Sequence, residues 1–288
     1  MLTNRTIVLG GSGFLGSHII QALQKAGMVE ITCGDLIPNS SLNCKYVRMD
    51  MLDVNDITHK LSNYNTIINC TGQITKPFNL CYKLNSFGIK NLVKAISEKT
   101  NRLIHISTVS VYGSADNCNE KSPLNPETEY ATTKVFAEQI LLENYNQKQL
   151  TILRLSNLYG SRQMKGIFAY LLRSYNSDRK LNFNNNGNLT RSFMHVEDCA
   201  DMIVEVIKNT KLTGIYNIKG NETYSVKDLV KQFENHFNVV FEKSFSNRLP
   251  WENIKKLDDS KLKSSINFQF KWQLFDFIEK ELGSQSYD

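Results

Sequence analysis

Tyr130 and Lys134 stand four residues apart in "EYATTK", at the head of a stretch, "VFAEQILLE", that has helical periodicity. Side chains four apart on a helix share a face, so the spacing sets a phenol beside an ammonium. A phenol, with an ordinary pKa of about 10, becomes a useful general base when a cation lowers that value. The pattern therefore predicts that Lys134 depresses the pKa of Tyr130. Taken alone, such a pair is an ordinary solvated helix face, but of the 12 tyrosines only Tyr130 has a lysine four residues after it. Upstream, "RLIHISTVSVYG" reads as a strand delivering Ser107 and Thr108 at its C-terminal end, the edge where open parallel sheets bind ligands. Hydroxyl, phenol and lysine together form a proton-transfer unit.

A hydride acceptor beside that unit is suggested by "IVLGGSGFLGSHII", residues 7–20. In a dinucleotide-binding turn the first glycine permits the bend, the second admits a pyrophosphate and the third lets the helix pack on the strand. The N–H groups of the helix N-terminus then face the anion. Here the spacing is Gly10-x-x-Gly13-x-x-Gly16, with Phe14 and Leu15 inside it, one residue wider at the start than G-x-G-x-x-G. A glycine triplet by itself is no more than a flexible turn. This one follows a first strand, opens a helix that stops at Gly27, and precedes a second strand ending in Asp35. A carboxylate there would hydrogen-bond the adenosine ribose and repel a 2′-phosphate, and "GDLIPNSS" has no arginine to attract one. NAD is predicted over NADP. The bland reading of Asp35 is a strand-end turn residue.

Elements that could position these residues recur along the chain. Apolar, β-branched runs appear at "TIVLGG", "EITCGD", "KYVRMD", "TIINCTG", "RLIHIST" and "LTILRLSN", with helical periodicity in most of the gaps. Alternation of this kind predicts an α/β fold, a Rossmann-type doubly wound parallel sheet with a smaller C-terminal substrate-binding lobe. Residues 1–160 are read as the NAD-binding domain, with a later strand and helix from about 190–220, and 161–288 as mostly the lobe. A composition of 41% hydrophobic and 22% charged residues is ordinary globular material. The net charge of +6 is spread without a basic block, so no nucleic-acid partner is expected. No apolar run approaches the ~20 residues of a membrane span, and a cytoplasmic location is expected. Six scattered cysteines and five histidines lack metal-ligand spacing. No metal site is expected.

Six motifs taken together, "GGSGFLG", the strand-end "GD", "ISTVSVYG", "YATTK", "LRLSNLYG" and "RSFMHVEDCA", resemble those of the extended short-chain dehydrogenase/reductases of the NAD-dependent epimerase/dehydratase family, which act on nucleotide sugars. The resemblance implies catalytic roles for Thr108, Tyr130 and Lys134, with Tyr130 and Lys134 also touching the cofactor. It implies cofactor contacts from Gly10, Gly13, Phe14, Leu15, Gly16, Asp35, Asp50 and Thr71. Asn85 matches an asparagine of the helix beside the active site. It further implies substrate contacts from Thr108, Asn157 and Arg191, the arginine holding a pyrophosphate, with Arg248 as a looser second candidate. His195 and Asp198 are expected to knit the lobe to the sheet. A homodimer through the helices containing "GIKNLVKAIS" and "TTKVFAEQILLE" is also implied.

The pattern departs from the family in two places. Members that dehydrate across C5 and C6 carry an Asp-Glu pair after the catalytic threonine, where this chain has Val109 and Ser110. The loop "CTGQITKPFNLCYKLN", which helps shape the sugar pocket, is shorter than usual and reads Thr71-Gly72 where two alanines are common. The expectation is an NAD-dependent nucleotide-sugar 4-epimerase. A 4-ketoreductase forming a deoxysugar nucleotide, suggested by the compact lobe, is the alternative within the family. A non-catalytic dinucleotide-sensing protein is the alternative of another class.

Overall fold

A computed structural model describes residues 5–72, 76–96, 102–161, 163 and 166–284. Seven strands make one sheet: β1 (Thr6–Leu9), β2 (Ile31–Asp35), β3 (Lys45–Arg48), β4 (Thr66–Asn69), β5 (Arg102–Thr108), β6 (Leu150–Leu155) and β7 (Gly214–Ile218). All neighbours pair in parallel, in the order β7-β6-β5-β4-β1-β2-β3. The order reverses at β1, so the C-terminal ends of β1 and β4 flank the crevice in which such sheets bind ligands. Every residue of "TIVL", "TIIN" and "LTILRL" is buried, which explains why these strands are mostly apolar without alternating.

Helices α1 (Phe14–Lys25), α2 (Val54–Leu61), α4 (Ile89–Ile96), α5 (Glu129–Asn144) and α7 (Val196–Lys208) cover the two faces, whereas α3 (Phe78–Lys83) packs against α5 and α6 (Ile167–Tyr175) lies beyond β6. On one face Ile19 and Leu23 of α1 meet Ile203 and Val206 of α7 over Ile68 and Ile104. On the other, Ile57, Leu92 and Leu141 cover Ile7, Ile67 and Leu103. Ile68 has no exposure, and truncating it to alanine would cost about 2–5 kcal/mol. Two caps fix helix starts near the crevice: Asp53 accepts from Asn55 N and Asp56 N, and Thr128 accepts from Ala131 N at 3.2 Å, at the head of α5.

Beyond β6 a second core gathers around Tyr159, Phe168, Leu171, Phe233 and Phe277. A three-stranded sheet there places residues 190–195 between 157–159 and 222–225. The "GIYNIKG" segment returns to the large sheet as β7, Gly214 opposite Thr151. His195 caps α7 by accepting from Glu197 N and stacks on Trp272 at 4.2 Å. Burial lowers its pKa to about 4, so the ring is neutral at physiological pH. Asp198 accepts from Lys271 N and Trp272 N, both at 3.1 Å. These two residues join α7 to the segment around Trp272. No helix among the described residues is long and apolar enough to cross a membrane.

Candidate active site

The glycine turn leaves β1 with Gly10 at φ +74°, a left-handed conformation that favours glycine. A methyl on Gly16 would stand 2.2 Å from the Gly10 carbonyl oxygen, so α1 can approach the turn only with hydrogen at that position. Gly13 caps α1 without a side chain, and no acidic residue occupies the first turn. Asp35, at the end of β2, accepts from Ser12 N at 3.0 Å and from Leu36 N at 2.7 Å. It therefore braces the glycine turn as well as facing the crevice edge. Asp50 follows β3, and its Oδ1 accepts from Leu52 N at 2.9 Å. Leu15 is buried in the core and Phe14 is partly buried against it. Thr71, just past β4, lies with its backbone N 3.2 Å from where a Gly10 methyl would be. The crevice thus brings together Gly10, Gly13, Gly16, Asp35 and Thr71.

Thr108 closes β5 and accepts from Ser110 N at 3.2 Å. Tyr130 and Lys134 sit in the first turns of α5, Tyr130 half-buried and Lys134 with no exposure. The structure differs from the sequence expectation in the electrostatics of this pair. Burial pushes the Tyr130 phenol up, and Cys81 and Glu252 push it the same way. Lys134 does not offset this because its ammonium is turned elsewhere: Nζ donates to the Ile106 carbonyl at 2.8 Å and lies 3.3 Å from His105 Nε2. Burial lowers Lys134 itself to about 8, against the upward pull of Glu138, Cys70 and Cys81.

Asn85 lies on a π-helical turn, Leu84–Gly88, between α3 and α4; such turns recur at functional sites. Its Nδ2 donates to Gly72 O at 2.9 Å and Thr133 Oγ1 at 3.3 Å, tying the loop after β4 to α5. Residues 73–75 of that loop lie outside the described residues.

On the lobe side, Thr108, Asn157 and Arg191 line one narrow cavity of about 50 Å³ together with Glu252. Asn157 and Arg191 also line a larger cavity of about 520 Å³ with Tyr170, Phe183 and Asn184. Arg191 donates to the carbonyls of Thr190, Trp251 and Glu252, and its Nη2 is 3.8 Å from the Glu252 carboxylate. Glu252 in turn accepts from Thr128 Oγ1 at 2.5 Å, linking this segment to the cap of α5. Arg248 is exposed and lines neither cavity. It is not brought to the site in this conformation.

Three groups escaped the sequence reading. His105 and Asn69 form one, described further below. The second is the buried pair Glu138–Arg154, 1% and 2% exposed and 2.6 Å apart, which receives Ser107 Oγ and reaches Tyr112. Its signal was present, since Arg154 interrupts an otherwise apolar strand and Glu138 lies four residues beyond Lys134. Glu252 is the third, and nothing local in "RLPWEN" marks it.

The chain matches known proteins over most of its length. Residues 6–218 match the model of the NAD dependent epimerase/dehydratase family. The dTDP-D-glucose 4,6-dehydratase of Homo sapiens is 27% identical over 254 residues, 79% of this chain and 72% of that protein. The ADP-L-glycero-D-manno-heptose-6-epimerase of Brachyspira hyodysenteriae is 25% identical over 252 residues, 78% of this chain and 79% of that one. The solved UDP-glucuronic acid 4-epimerase of Bacillus cereus, in complex with UDP-glucuronic acid and NAD, aligns with a TM-score of 0.84 at 25% identity, covering 98% of this chain and all of that one.

Proposed function

The chain belongs to the NAD dependent epimerase/dehydratase family, and from that membership we propose that it is a nucleotide-sugar 4-epimerase, oxidising and re-reducing C4 of a sugar carried on a nucleoside diphosphate. The observation that carries this reading is the sequence at the end of β5: Thr108 lines the same cavity as Asn157 and Arg191, and is followed by Val109 and Ser110 rather than by the Asp-Glu pair that the resemblance associates with dehydration. A 4,6-elimination needs an acid and a base beyond the tyrosine, and this strand end supplies neither.

The residues present fit NAD. The turn at Gly10, Gly13 and Gly16 presents an α1 N-terminus with no capping side chain to a diphosphate, and Asp35 stands where a ribose would be read. When bound, NAD supplies the acceptor and donor of hydride. Tyr130, once ionised, takes the proton of the C4 hydroxyl and returns it to the ketone, Thr108 hydrogen-bonds the same oxygen, and Lys134 lies one helical turn beyond the phenol with its Nζ held on the Ile106 carbonyl. Arg191 holds the diphosphate bidentately, exchanging its bonds to the Trp251 and Glu252 carbonyls for phosphate oxygens. The cavity lined by Tyr170, Phe183 and Asn184 takes the base.

The 4-ketoreductase is a second reading, favoured by the raised phenol of Tyr130: a tyrosine held protonated is set to donate to a ketone. The two are separated by incubating the protein with NAD and UDP- and dTDP-sugars and following the C4 epimers by NMR. Interconversion with catalytic NAD supports the epimerase. Consumption of reduced cofactor by a 4-keto sugar, with no epimer formed, would replace it with the reductase.

A further inference from the structure

Behind Lys134 lies a chain of buried polar groups whose direction the hydrogen bonds fix. Thr71 N, which can only donate, reaches Asn69 Oδ1 at 3.0 Å, and Thr71 Oγ1 reaches the same oxygen at 2.6 Å. The amide of Asn69 is therefore oriented with Nδ2 on its other side, 3.1 Å from His105 Nδ1. An amide nitrogen donates, so His105 Nδ1 must present its lone pair. A neutral imidazole then carries its proton on Nε2, the nitrogen 3.3 Å from Lys134 Nζ. His105 has no exposure, and its charged form is strongly disfavoured by burial and by Lys134.

We propose that His105, locked by Asn69 as the Nε2–H tautomer, is a positioning residue that presents an N–H rather than a lone pair to Lys134 and so weakens the hold of that lysine on its proton. Donor faces donor when Lys134 is an ammonium; donor faces acceptor when it is an amine. The other titratable groups facing Lys134 are Glu138 on α5, Cys70 after β4 and Cys81 on α3. The carboxylate among them, Glu138, is already paired with Arg154. The lysine titrates near 8, so it can release and regain a proton close to physiological pH instead of acting as a permanent cation.

The inference rests on reading Tyr130 and Lys134 as the proton-transfer pair, but its test needs neither substrate nor NAD. Failure to find an epimerase activity would leave it standing. Long-range 1H–15N NMR of the cofactor-free protein should show His105, assigned by loss of its signals in His105→Leu, as the Nε2–H tautomer without titration between about pH 5 and 9. Lysine 13Cε shifts should place Lys134, assigned with Lys134→Met, near 8. In His105→Leu, and in Asn69→Asp, whose carboxylate would move the His105 proton to Nδ1, that midpoint should rise by about one unit or more. If His105→Leu does not fold, the wild-type tautomer and Asn69→Asp decide. An Nδ1–H tautomer in the wild type, or a Lys134 midpoint unmoved in Asn69→Asp, overturns the proposal.

Discussion

At the scale of single residues, the account turns on where one proton sits. Tyr130→Phe removes the only group proposed to exchange a proton with the sugar, so turnover should fall by at least ~10²-fold, with NAD binding by calorimetry unchanged. Activity near the wild-type level would remove Tyr130 from the mechanism. Lys134 also gives a stability prediction. Its folded pKa, about 8, lies below the unfolded value of 10.5, so between those values the unfolded chain binds more protons and stability rises with pH. Relative to Lys134→Met, the wild type should gain about 1–2 kcal/mol between pH 7.5 and 9.5, read from urea unfolding at both. A difference independent of pH would mean that the lysine titrates elsewhere. The residue types of this site were legible in the sequence, because i,i+4 spacing puts Tyr130 and Lys134 on one helix face whatever surrounds them. Their electrostatics were not, because burial by β5 and the rival bonds to Ile106 and His105 depend on contacts 28 and 29 residues away in sequence.

At the scale of elements, the glycine turn and the exposed side of α3 each carry a prediction. Gly16→Ala puts a methyl into the Gly10 carbonyl, which must displace α1 from β1. NAD affinity should drop while the nucleotide cavity of the lobe is preserved, and unaltered NAD binding would show that the turn tolerates the shift. Phe78, Tyr82 and Phe87 form an exposed aromatic row, ring centroids 6.4 and 6.3 Å apart, beside the helices proposed to meet a second copy. In light scattering the protein should run as a dimer, and Phe87→Glu should dissociate it. A monomer mass for the wild type at all concentrations would leave that surface without this role. Alternating strands and helices were readable because each strand is an apolar run between periodic stretches. The π-helical turn at Asn85 was not, since it inserts a residue into a pattern that otherwise reads as continuous helix.

At the scale of the whole molecule, the proposed site draws its residues from two parts of the chain. Thr108 and Tyr130 come from the large sheet and its α5 helix, whereas Asn157, Arg191 and Glu252 come from the segments that follow β6. Arg191 ties the strand at 190–195 to Trp251 and Glu252, and Glu252 ties that segment back to Thr128 at the head of α5. Arg191→Ala should therefore weaken nucleotide-sugar binding by at least ~10-fold, the scale of a lost charge-assisted pair, while NAD affinity stays within twofold. Parallel loss of both would make the arginine a purely structural tie. These cross-chain links, spanning 60 residues and more, have no local signature, which is why Arg191 was legible by resemblance and Glu252 was not. The central claim is that C4 is oxidised and re-reduced in place, with the cofactor returned to its starting state. The most direct measurement is NMR of a UDP- or dTDP-sugar incubated with the protein and substoichiometric NAD. The account predicts that the C4 epimer accumulates to equilibrium, with many turnovers per NAD and no net change in the absorbance of reduced nicotinamide. A 4-keto-6-deoxy product, or epimer formation that stops at one equivalent of cofactor, would contradict it.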